Sequence, residues 1–504
     1  MIEARMTVRP GHPVGAIDRR LFGSFVEHLG RAVYDGLFEP GHPAADEDGF
    51  RRDVLELVRE LGVTTVRYPG GNFVSSYRWE DGVGPRASRP RRLDPAWHSI
   101  ETNQIGIDEF ARWTAKAGAE LMLAVNLGTR GVAEALDVLE YCNIPGGTAL
   151  SDARASHGSV EPHDVRLWCL GNEMDGPWQI GHRSAEEYGT LAAQTARAMR
   201  QVDNRVLLVA CGSSGRGMPT FGEWERTVLD RTWGEVDYIS CHAYYQEKDG
   251  DLASFLASSV DMDRFIEAVA EAIDDVAARR GGIEREVSIS FDEWNVWDVE
   301  RFDALEKRTA IDDWPVAPRI LEDSYSVSDA VVVGSLLMSL LRHADRVKAA
   351  SLAQLVNVIA PIMTEPGGIA WRQTSFYPFA ITARLARGET IEVYADAPTY
   401  EHPEHGSVSL VDAVATADAG GVSLFLVNRS TDAPAEVTVD LSALGVVALG
   451  EAVTLSDADP YARNTLADPN RVVPRTLTSA RIIGRSLVVT LDPVSWSAIR
   501  LVKD

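Results

Sequence analysis

Residues 166–173 read Arg166-Leu-Trp-Cys-Leu-Gly-Asn-Glu173, a short apolar run that ends in glycine, asparagine and glutamate. Such a run is typical of a buried parallel strand whose carboxyl end leads into a loop. The same pattern recurs between residues 17 and 385. The predicted strands are Leu21–Glu27, Thr64–Tyr68, Glu120–Asn126, Arg166–Leu170, Arg205–Ala210, Asp237–His242, Val287–Asp292 and Val347–Ala353.

Segments with helical period alternate with these strands. The predicted helices are Phe50–Leu61, Ile107–Ala117, Val132–Tyr141, Ala185–Val202, Phe221–Thr232, Met262–Arg280, Ser328–His343 and Ser375–Leu385. Eight strands in alternation with eight helices is the count that a closed (β/α)8 barrel requires. The sequence therefore predicts an α/β fold with a TIM barrel over residues 17–385.

The sequence pattern changes beyond residue 386. Short β-branched runs separated by Gly, Pro, Asp and Ser predict a C-terminal, jelly-roll-like β-sandwich over residues 386–504. The runs are Ile391–Tyr394, Val408–Val411, Val422–Val427, Ala435–Val439 and Ser495–Val502. The strand-like segment Ala4–Val8, within residues 1–16, precedes the barrel and is expected to join this sandwich.

Composition limits the partners of the protein. The chain has 504 residues, 45% hydrophobic and 24% charged, with a net charge of −25. A protein this acidic repels phosphate backbones and anionic lipids, so we expect neither a nucleic acid nor a membrane partner. The apolar stretch Val331–Leu341 is too short to span a bilayer and is interpreted as a buried helix.

Two further features favour a cytoplasmic location. The first 13 residues contain no apolar run that resembles the core of a signal sequence. None of the cysteines forms a C-x-x-C pair, and we interpret them as buried free thiols in a reducing compartment. They are Cys142, Cys169, Cys211 and Cys241.

Two glutamates end predicted strands, Glu173 after the fourth and Glu293 after the seventh. Catalytic groups of such a barrel lie at the carboxyl ends of its strands, so the two carboxylates are expected to face each other across the mouth. A pair about 5 Å apart suits double displacement at an anomeric carbon. The sequence thus predicts a retaining glycoside hydrolase with Glu173 as acid/base and Glu293 as nucleophile.

This mechanism requires different protonation states of the two carboxyl groups. We expect Tyr244 and Arg67 to favour the charged form of Glu293, while repulsion within the pair keeps a proton on Glu173. Asn172, next to Glu173, can donate a hydrogen bond to the 2-hydroxyl of the sugar.

Other predicted strand ends carry groups that can bind a sugar. They are Glu27 with His28, Arg67 with Asn72, His242 with Tyr244 and Tyr245, and Gln354 with Asn357. Indole rings can stack on the apolar faces of sugars. The tryptophans in or near predicted rim loops are Trp97, Trp178, Trp294, Trp297 and Trp314.

Longer strings resemble the family 51 α-L-arabinofuranosidases over nearly the whole chain. They are Gly23-Ser-Phe-Val-Glu-His-Leu-Gly-Arg31, Val66-Arg-Tyr-Pro-Gly-Gly-Asn-Phe-Val74, Ser99-Ile-Glu-Thr-Asn-Gln104, Leu170-Gly-Asn-Glu-Met-Asp-Gly-Pro-Trp178, Phe291-Asp-Glu-Trp-Asn-Val-Trp297, Leu340-Leu-Arg-His-Ala-Asp-Arg-Val-Lys348 and Ala353 to Thr364. The resemblance implies release of terminal, non-reducing α-L-arabinofuranosyl residues, with retention, from arabinose-containing oligosaccharides. It also implies a barrel with a β-sandwich, a homohexamer, no metal or other cofactor, and a cytoplasmic role in arabinose metabolism and hemicellulose degradation.

The resemblance also assigns roles to individual residues. Glu173 matches the acid/base of the family and Glu293 its nucleophile. Glu27, Asn72, Asn172, Tyr244 and Gln354 would hold the furanose, Arg67 and His242 would support the carboxylates, and Trp297 would help to recognise the substrate. The chain departs from many relatives after Trp297, where Asp298-Val-Glu300 replaces an aromatic residue and affects the expected leaving-group preference.

Other classes of protein share part of this pattern. A β-xylosidase or endoglucanase on the same barrel would have the same strand-end glutamates. A metal-dependent barrel enzyme would use His28, His242 and the glutamates as ligands, although no H-x-H or H-E-x-x-H spacing occurs. A non-catalytic carbohydrate-binding protein would have little reason to retain both carboxylates.

Overall fold

A closed barrel of eight parallel strands forms the larger part of the computed structural model, which describes residues 1–281, 286–445 and 447–503. Each strand pairs with its neighbour in the chain, and the last pairs with the first. In chain order, barrel strands 1 to 8 are Gly23–Phe25, Thr65–Tyr68, Glu120–Val125, Leu167–Leu170, Leu207–Ala210, Tyr238–Tyr245, Ser288–Val296 and Val347–Leu352. The predicted TIM barrel is confirmed.

A helix follows each barrel strand along the chain. These helices are Arg52–Leu61, Ile107–Ala117, Val132–Asn143, Ala185–Val202, Glu223–Thr232, Ser258–Arg279, Val327–Arg342 and Phe376–Leu385. Shorter helices in the loops are Ala149–Ser156, Leu252–Leu256 and Val299–Arg301. None of the described helices is long and apolar enough to cross a membrane.

Local sequence explains where these helices begin and end. Ser184 caps Ala185–Val202, because its hydroxyl accepts from the backbone N–H of Glu187 while the Glu187 carboxylate accepts from that of Ser184. Gly62 ends Arg52–Leu61 at φ +81°, a left-handed conformation that glycine adopts without a steric penalty.

The first barrel strand is shorter than predicted. Residues Arg19–Phe22, partly included in the predicted strand, form a 3-10 turn. The carboxylate of Asp18 accepts a hydrogen bond from the backbone N–H of Arg20 and thereby starts this turn. The apolar character of Leu21 and Phe22 reflects burial in the core rather than strand pairing.

The C-terminal region forms one mixed sheet of ten strands. Across the sheet they are Arg475–Thr476, Val447–Leu455, Ser495–Lys503, Gly421–Asn428, Val411–Asp418, Glu389–Asp396, Ile2–Ala16, Ala435–Asp440, Ser486–Leu491 and Arg481–Ile483. Buried side chains from strands far apart in this order, such as Leu487 and Ile499, belong to one apolar cluster. The sheet therefore curls around its own core, and the predicted C-terminal β domain is confirmed in this form.

The N-terminal strand Ile2–Ala16 lies inside that sheet. It runs parallel to Ala435–Asp440 and antiparallel to Glu389–Asp396. The first and last parts of the chain therefore share one hydrophobic core, to which the N-terminal strand contributes Ala4, Met6 and Val8.

The sheet packs directly on the barrel. Helix Val327–Arg342 is almost entirely buried, and the indole of Trp496 from the sheet lies against Gly334. At the end of this helix, Arg342 donates to Asp412 at 2.8 Å. The prediction of a buried helix over Val331–Leu341 is confirmed. The four cysteines are buried and free, as predicted.

Candidate active site

A cavity of about 610 Å³ opens at the carboxyl ends of the barrel strands. Ligand sites of such barrels occupy this face, because the loops that follow the strands converge there. Side chains from strand ends and their loops form its inner part. The polar and aromatic groups among them are Glu27, Asn72, Trp97, Glu173, Trp178, Tyr244, Glu293, Trp297 and Gln354.

Glu173 lies three residues beyond barrel strand 4. Its backbone adopts φ +43°, an uncommon conformation for a residue with a side chain. One carboxylate oxygen, Oε1, lies 2.9 Å from Nδ1 of His242, and the other, Oε2, accepts from Nε1 of Trp178 at 2.6 Å. Glu173 is thus held between a buried imidazole and a half-exposed indole at the mouth of the cavity.

Glu293 lies within barrel strand 7 and is buried. Its Oε1 accepts from the guanidinium of Arg67 at 2.7 Å, and its Oε2 accepts from the hydroxyl of Tyr244 at 2.8 Å. Strands 2 and 6 supply these two donors. Both carboxylate oxygens of Glu293 are therefore fixed in orientation.

The two glutamates lie close together. A carboxylate oxygen of Glu173, one of Glu293 and a ring nitrogen of His242 all lie within 4.8 Å of one another. Carboxyl groups about 5 Å apart suit a retaining glycosidase, whereas inverting enzymes need about 6.5–9.5 Å to accommodate a water molecule. The spacing fits covalent double displacement.

His242 lies between three carboxylates. Its Nδ1 faces Glu173, and its Nε2 lies 3.0 Å from Oδ1 of Asp292. Burial lowers the pKa of His242. The charge of Glu293 and the contacts with Asp292 and Glu173 outweigh this effect and raise the pKa to about 10. The ring is therefore positively charged at neutral pH, and both nitrogens donate protons.

Asp292 was missed by the sequence analysis, and a strand irregularity explains its position. Residues next to each other in a strand normally point to opposite faces. Here Ser290 pairs with Ser240 but Glu293 pairs with His242, so strand 7 contains one residue more than strand 6 in this interval. Such a bulge re-aims side chains, which lets both Asp292 and Glu293 face His242. The sequence signal that could have identified Asp292 was the presence of a second acidic residue, next to Glu293, in an apolar run.

The charges in this buried group balance. Arg67 and His242 are positive, and they face Glu293 and Asp292. Burial raises the pKa of Glu293, while His242, Arg67 and the hydrogen bond from Tyr244 act in the opposite direction. The contacts expected from Arg67 and Tyr244 are present, and His242 adds a further positive charge.

Glu27 lines the same cavity as Glu173 and Glu293. Its Oε1 accepts from the backbone N–H of Phe73 at 2.9 Å and from the indole of Trp97 at 2.7 Å. Burial raises the pKa of Glu27 to about 8. A Cβ at Gly71 would lie 2.5 Å from Oε2 of Glu27, so this close approach requires glycine.

The structure divides the predicted substrate-binding residues into two layers. Glu27, Asn72, Tyr244, Trp297 and Gln354 line the cavity together with Glu173 and Glu293. Arg67, Asn172 and His242 are buried behind them. In this second layer, Oδ1 of Asn172 accepts from Arg67 at 2.8 Å, and its Nδ2 lies 3.4 Å from Asn72.

Other candidate residues occupy different positions. Of the rim tryptophans, Trp97, Trp178 and Trp297 line the cavity, but Trp294 is buried in the core and Trp314 stacks on His98. Both ring nitrogens of His28 are used by Glu101 and Tyr68, and the amide of Asn357 bonds Thr364. The hydroxyl of Tyr245 faces Asp261. Apart from the three cavity-lining tryptophans, these candidate side chains are not among those that line the cavity.

Residues 299–308 form an outer wall that the strand-end pattern could not reveal. Phe302 packs against Trp97 and Trp297, with ring centroids 5.9 and 6.1 Å away. The wall also presents charged groups to the cavity, namely Asp303, Glu306, Lys307 and Arg308. Asp298 belongs to the segment 298–300 in which the chain departs from many relatives. Its carboxylate accepts from the backbone N–H of Arg301 and so caps the short helix at the start of the wall.

The carboxylates and His242 are close enough to hold a metal ion, but their chemistry does not fit one. A metal ligand must offer a lone pair, and the protonated ring of His242 has none. The guanidinium of Arg67 also lies 2.7 Å from Glu293, where it would repel a cation. His28 lies outside this group because its nitrogens are engaged elsewhere.

Residues 57–264 match the α-L-arabinofuranosidase 1 domain, and residues 292–495 match the α-L-arabinofuranosidase C-terminal domain. The intracellular exo-α-(1→5)-L-arabinofuranosidase of Streptomyces lividans is 59% identical over 99% of this chain and 75% of its own. The exo-α-(1→6)-L-arabinofuranosidase of Bifidobacterium longum is 57% identical over 99% of this chain and 97% of its own.

Solved structures show the same architecture. A family 51 α-L-arabinofuranosidase from Bifidobacterium longum superposes with a TM-score of 0.95 at 50% identity, with 99% of each chain covered. An α-L-arabinofuranosidase from Thermotoga maritima, solved as an arabinose complex, gives a TM-score of 0.86 at 32% identity, with 99% of this chain and 100% of that chain covered.

Proposed function

The chain belongs to the family 51 α-L-arabinofuranosidases and releases terminal arabinofuranosyl residues from arabinose-containing oligosaccharides, and we propose that it does so by double displacement. In this mechanism Glu293 is the nucleophile and Glu173 the acid/base. The observation that carries the proposal is that a carboxylate oxygen of Glu173 and one of Glu293 lie within 4.8 Å of each other and of a ring nitrogen of His242.

In the first step, an oxygen of Glu293 attacks the anomeric carbon of the bound arabinofuranosyl group. Glu173 gives its proton to the glycosidic oxygen, the bond between that oxygen and the anomeric carbon breaks, and the leaving group departs. An ester between Glu293 and the sugar remains. Arg67 and Tyr244 orient the attacking carboxylate.

In the second step, the ionised Glu173 takes a proton from a water molecule whose oxygen attacks the anomeric carbon. The ester bond to Glu293 breaks, arabinose leaves with its configuration retained, and Glu173 carries a proton again. Both carboxylates have then returned to their starting state.

His242 suits both steps because it contacts both carboxylates. Its Nδ1 lies 2.9 Å from Glu173 and 3.6 Å from Glu293. Negative charge leaves Glu293 when the ester forms and appears on Glu173 when its proton is given away. A fixed positive charge between them stabilises the charge in either position, without reorganisation during the reaction.

The inner part of the cavity suits one furanose ring. Glu27, Asn72, Tyr244 and Gln354 supply polar groups around the proposed nucleophile, and Trp297 supplies an apolar face. Glu27, with its pKa raised to about 8, can be protonated at neutral pH and donate to a sugar hydroxyl. The outer wall at residues 299–308 would then contact the leaving group.

The β-xylosidase and endoglucanase alternatives lose their support because the chain belongs to the arabinofuranosidases. Relatives from Streptomyces lividans and Bacillus subtilis are named intracellular, which supports action in the cytoplasm. The family resemblance supports a homohexamer, which size-exclusion chromatography with light scattering would test.

The deciding experiment is hydrolysis of 4-nitrophenyl α-L-arabinofuranoside by the wild type, Glu173→Ala and Glu293→Ala, each with and without azide. We expect azide to restore turnover of both variants. Glu173→Ala should yield a glycosyl azide of retained configuration, since azide attacks the ester intermediate, and Glu293→Ala one of inverted configuration. The opposite product configurations would overturn the role assignment.

Natural substrates require a second comparison. The relatives include enzymes named for (1→5) and for (1→6) linkages. Arabino-oligosaccharides of both linkages, labelled at the reducing end, should lose single arabinose units from the non-reducing end. Release of internal fragments would contradict exo action.

A further inference from the structure

A hairpin outside the ten-stranded sheet lies against the barrel. Its strands are Thr399–His402 and Gly406–Ser409, which pair antiparallel. The hydroxyl of Tyr400 donates to the carbonyl of Ala253 at 2.8 Å, and Arg264 donates to the carbonyl of His405 at 2.6 Å. The turn of the hairpin therefore contacts the segment that follows barrel strand 6.

This turn brings three metal-ligating side chains together. A ring nitrogen of His402, a ring nitrogen of His405 and a carboxylate oxygen of Glu404 lie within 4.8 Å of one another. Nε2 of His405 and Oε2 of Glu404 lie 3.2 and 3.4 Å from the same hydroxyl, that of Ser254. These two ligand atoms thus converge on one point.

The ring of His402 is oriented by a carboxylate. Its Nε2 lies 3.2 Å from Oδ2 of Asp251, and its Nδ1 accepts from the backbone N–H of Glu404 at 3.2 Å. A ring that donates from Nε2 to Asp251 keeps a lone pair on Nδ1, which faces the backbone N–H of Glu404. Metal-ligating histidines commonly have this arrangement, with the other ring nitrogen donating to a carboxylate.

We propose that His402, Glu404 and His405 form a binding site for one divalent ion of the zinc class, with Asp251 as the group that orients His402. Two imidazoles and one carboxylate suit Zn²⁺ and similar transition metals, whereas Mg²⁺ and Ca²⁺ prefer oxygen ligands only. Glu404 is exposed, so water can complete the coordination.

The site is separate from arabinofuranosidase chemistry, since none of these residues lines the catalytic cavity. A bound ion would replace the hydrogen bond from the N–H of Glu404 to His402 and the contacts with Ser254. It would lock the turn and, through Asp251, tie the hairpin to the barrel. The expected consequence is greater thermal stability without a change in turnover.

Calorimetric titration of the metal-free, full-length protein with ZnCl₂ at pH 7, and in parallel with MgCl₂, tests the site. We expect one Zn²⁺ per chain, no comparable Mg²⁺ binding, and a higher unfolding temperature with Zn²⁺. His402→Ala should abolish both effects. Asp251→Asn should weaken binding roughly 10–100-fold while it preserves the helix cap, because asparagine caps as well as aspartate.

Two further variants separate binding from misfolding. Glu404→Gln changes an exposed side chain, so it should fold normally and still lose affinity. His12→Ala removes an exposed histidine elsewhere and should bind Zn²⁺ like the wild type. Equal affinity in the wild type and His402→Ala, or no binding to the wild type, would overturn the proposal. Binding that persists in His402→Ala and inhibits hydrolysis would place the ion at Glu173 and Glu293 instead.

Discussion

Nδ1 of His242 lies 2.9 Å from Oε1 of Glu173, so a charged imidazole contacts the proposed acid/base directly. The same nitrogen lies 3.6 Å from the proposed nucleophile, and the other ring nitrogen is held by Asp292. The positive charge therefore has a fixed position between the two groups that exchange negative charge during turnover.

Replacing His242 should impair chemistry more than substrate binding. We expect His242→Gln to lower kcat on 4-nitrophenyl α-L-arabinofuranoside roughly 100-fold, with little change in KM, because the ring lies behind the cavity lining. The exposed His182 offers a matched control, and His182→Gln should leave both constants unchanged. An increase in KM with normal kcat would show that the ring binds substrate rather than stabilising charge.

Glu27 should make the folded protein less stable as pH rises. Burial raises its pKa from an ordinary value of 4.5 to about 8, so between these values the folded state binds more protons than the unfolded state. The free energy of unfolding must then decrease with pH across this window. Glutamine at position 27 cannot ionise. The urea midpoint of Glu27→Gln should therefore rise relative to that of the wild type between pH 5 and pH 8. A constant difference between the two midpoints would contradict the raised pKa.

Gly334 should not tolerate a side chain, although it lies within a helix. A Cβ there would be 2.3 Å from Cδ1 of Trp496, in the contact between the barrel and the sheet. The overpacking should cost about 1–3 kcal/mol and outweigh the gain of about 1 kcal/mol in helix propensity. We expect Gly334→Ala to lower the unfolding temperature, while Gly41→Ala, with open space around its Cβ position, should not.

Asp412 should stabilise the junction between the two domains. It accepts from Arg342 at 2.8 Å and from the buried Arg429 at 2.9 Å. Burial raises the pKa of Asp412, but the two guanidinium groups outweigh this effect and hold the pKa well below its ordinary value. Asp412→Ala removes the carboxylate between them and should cost about 3 kcal/mol. Urea unfolding would measure this.

The ion pair between Arg384 and Glu451 provides the control for Asp412, because both of its side chains are much more exposed. Exposed pairs contribute little to stability. Glu451→Gln should therefore leave the urea midpoint close to that of the wild type. Equal losses in Asp412→Ala and Glu451→Gln would show that the lower exposure of Asp412 has no special effect.

Several features of the site follow from local patterns in the sequence. Glu173 and Glu293 are identifiable because each ends an apolar run, and the barrel brings all strand ends to one rim. His242 and Tyr244 are two residues apart in one strand, so they face the same side.

Other features depend on contacts between distant segments. The outer wall at residues 299–308 is positioned by the packing of Phe302 on Trp97, residues that are far apart in the chain. The division into cavity-lining residues and a buried layer of Arg67, Asn172 and His242 likewise depends on how strands 2, 4 and 6 pack side by side.

The sequence by itself determined the barrel, the C-terminal β domain and the two candidate glutamates, because hydrophobic periodicity and the position of an acidic residue in an apolar run are local properties. The structure places Glu173 just beyond strand 4 and Glu293 within strand 7, not at its end. Only the tertiary structure decided that Asp292 joins the site. The extra residue in strand 7 becomes a bulge only when that strand pairs with strand 6. The bulge turns two consecutive carboxylates toward His242. The charge of Glu293 and the contacts with Asp292 and Glu173 then raise the pKa of this histidine.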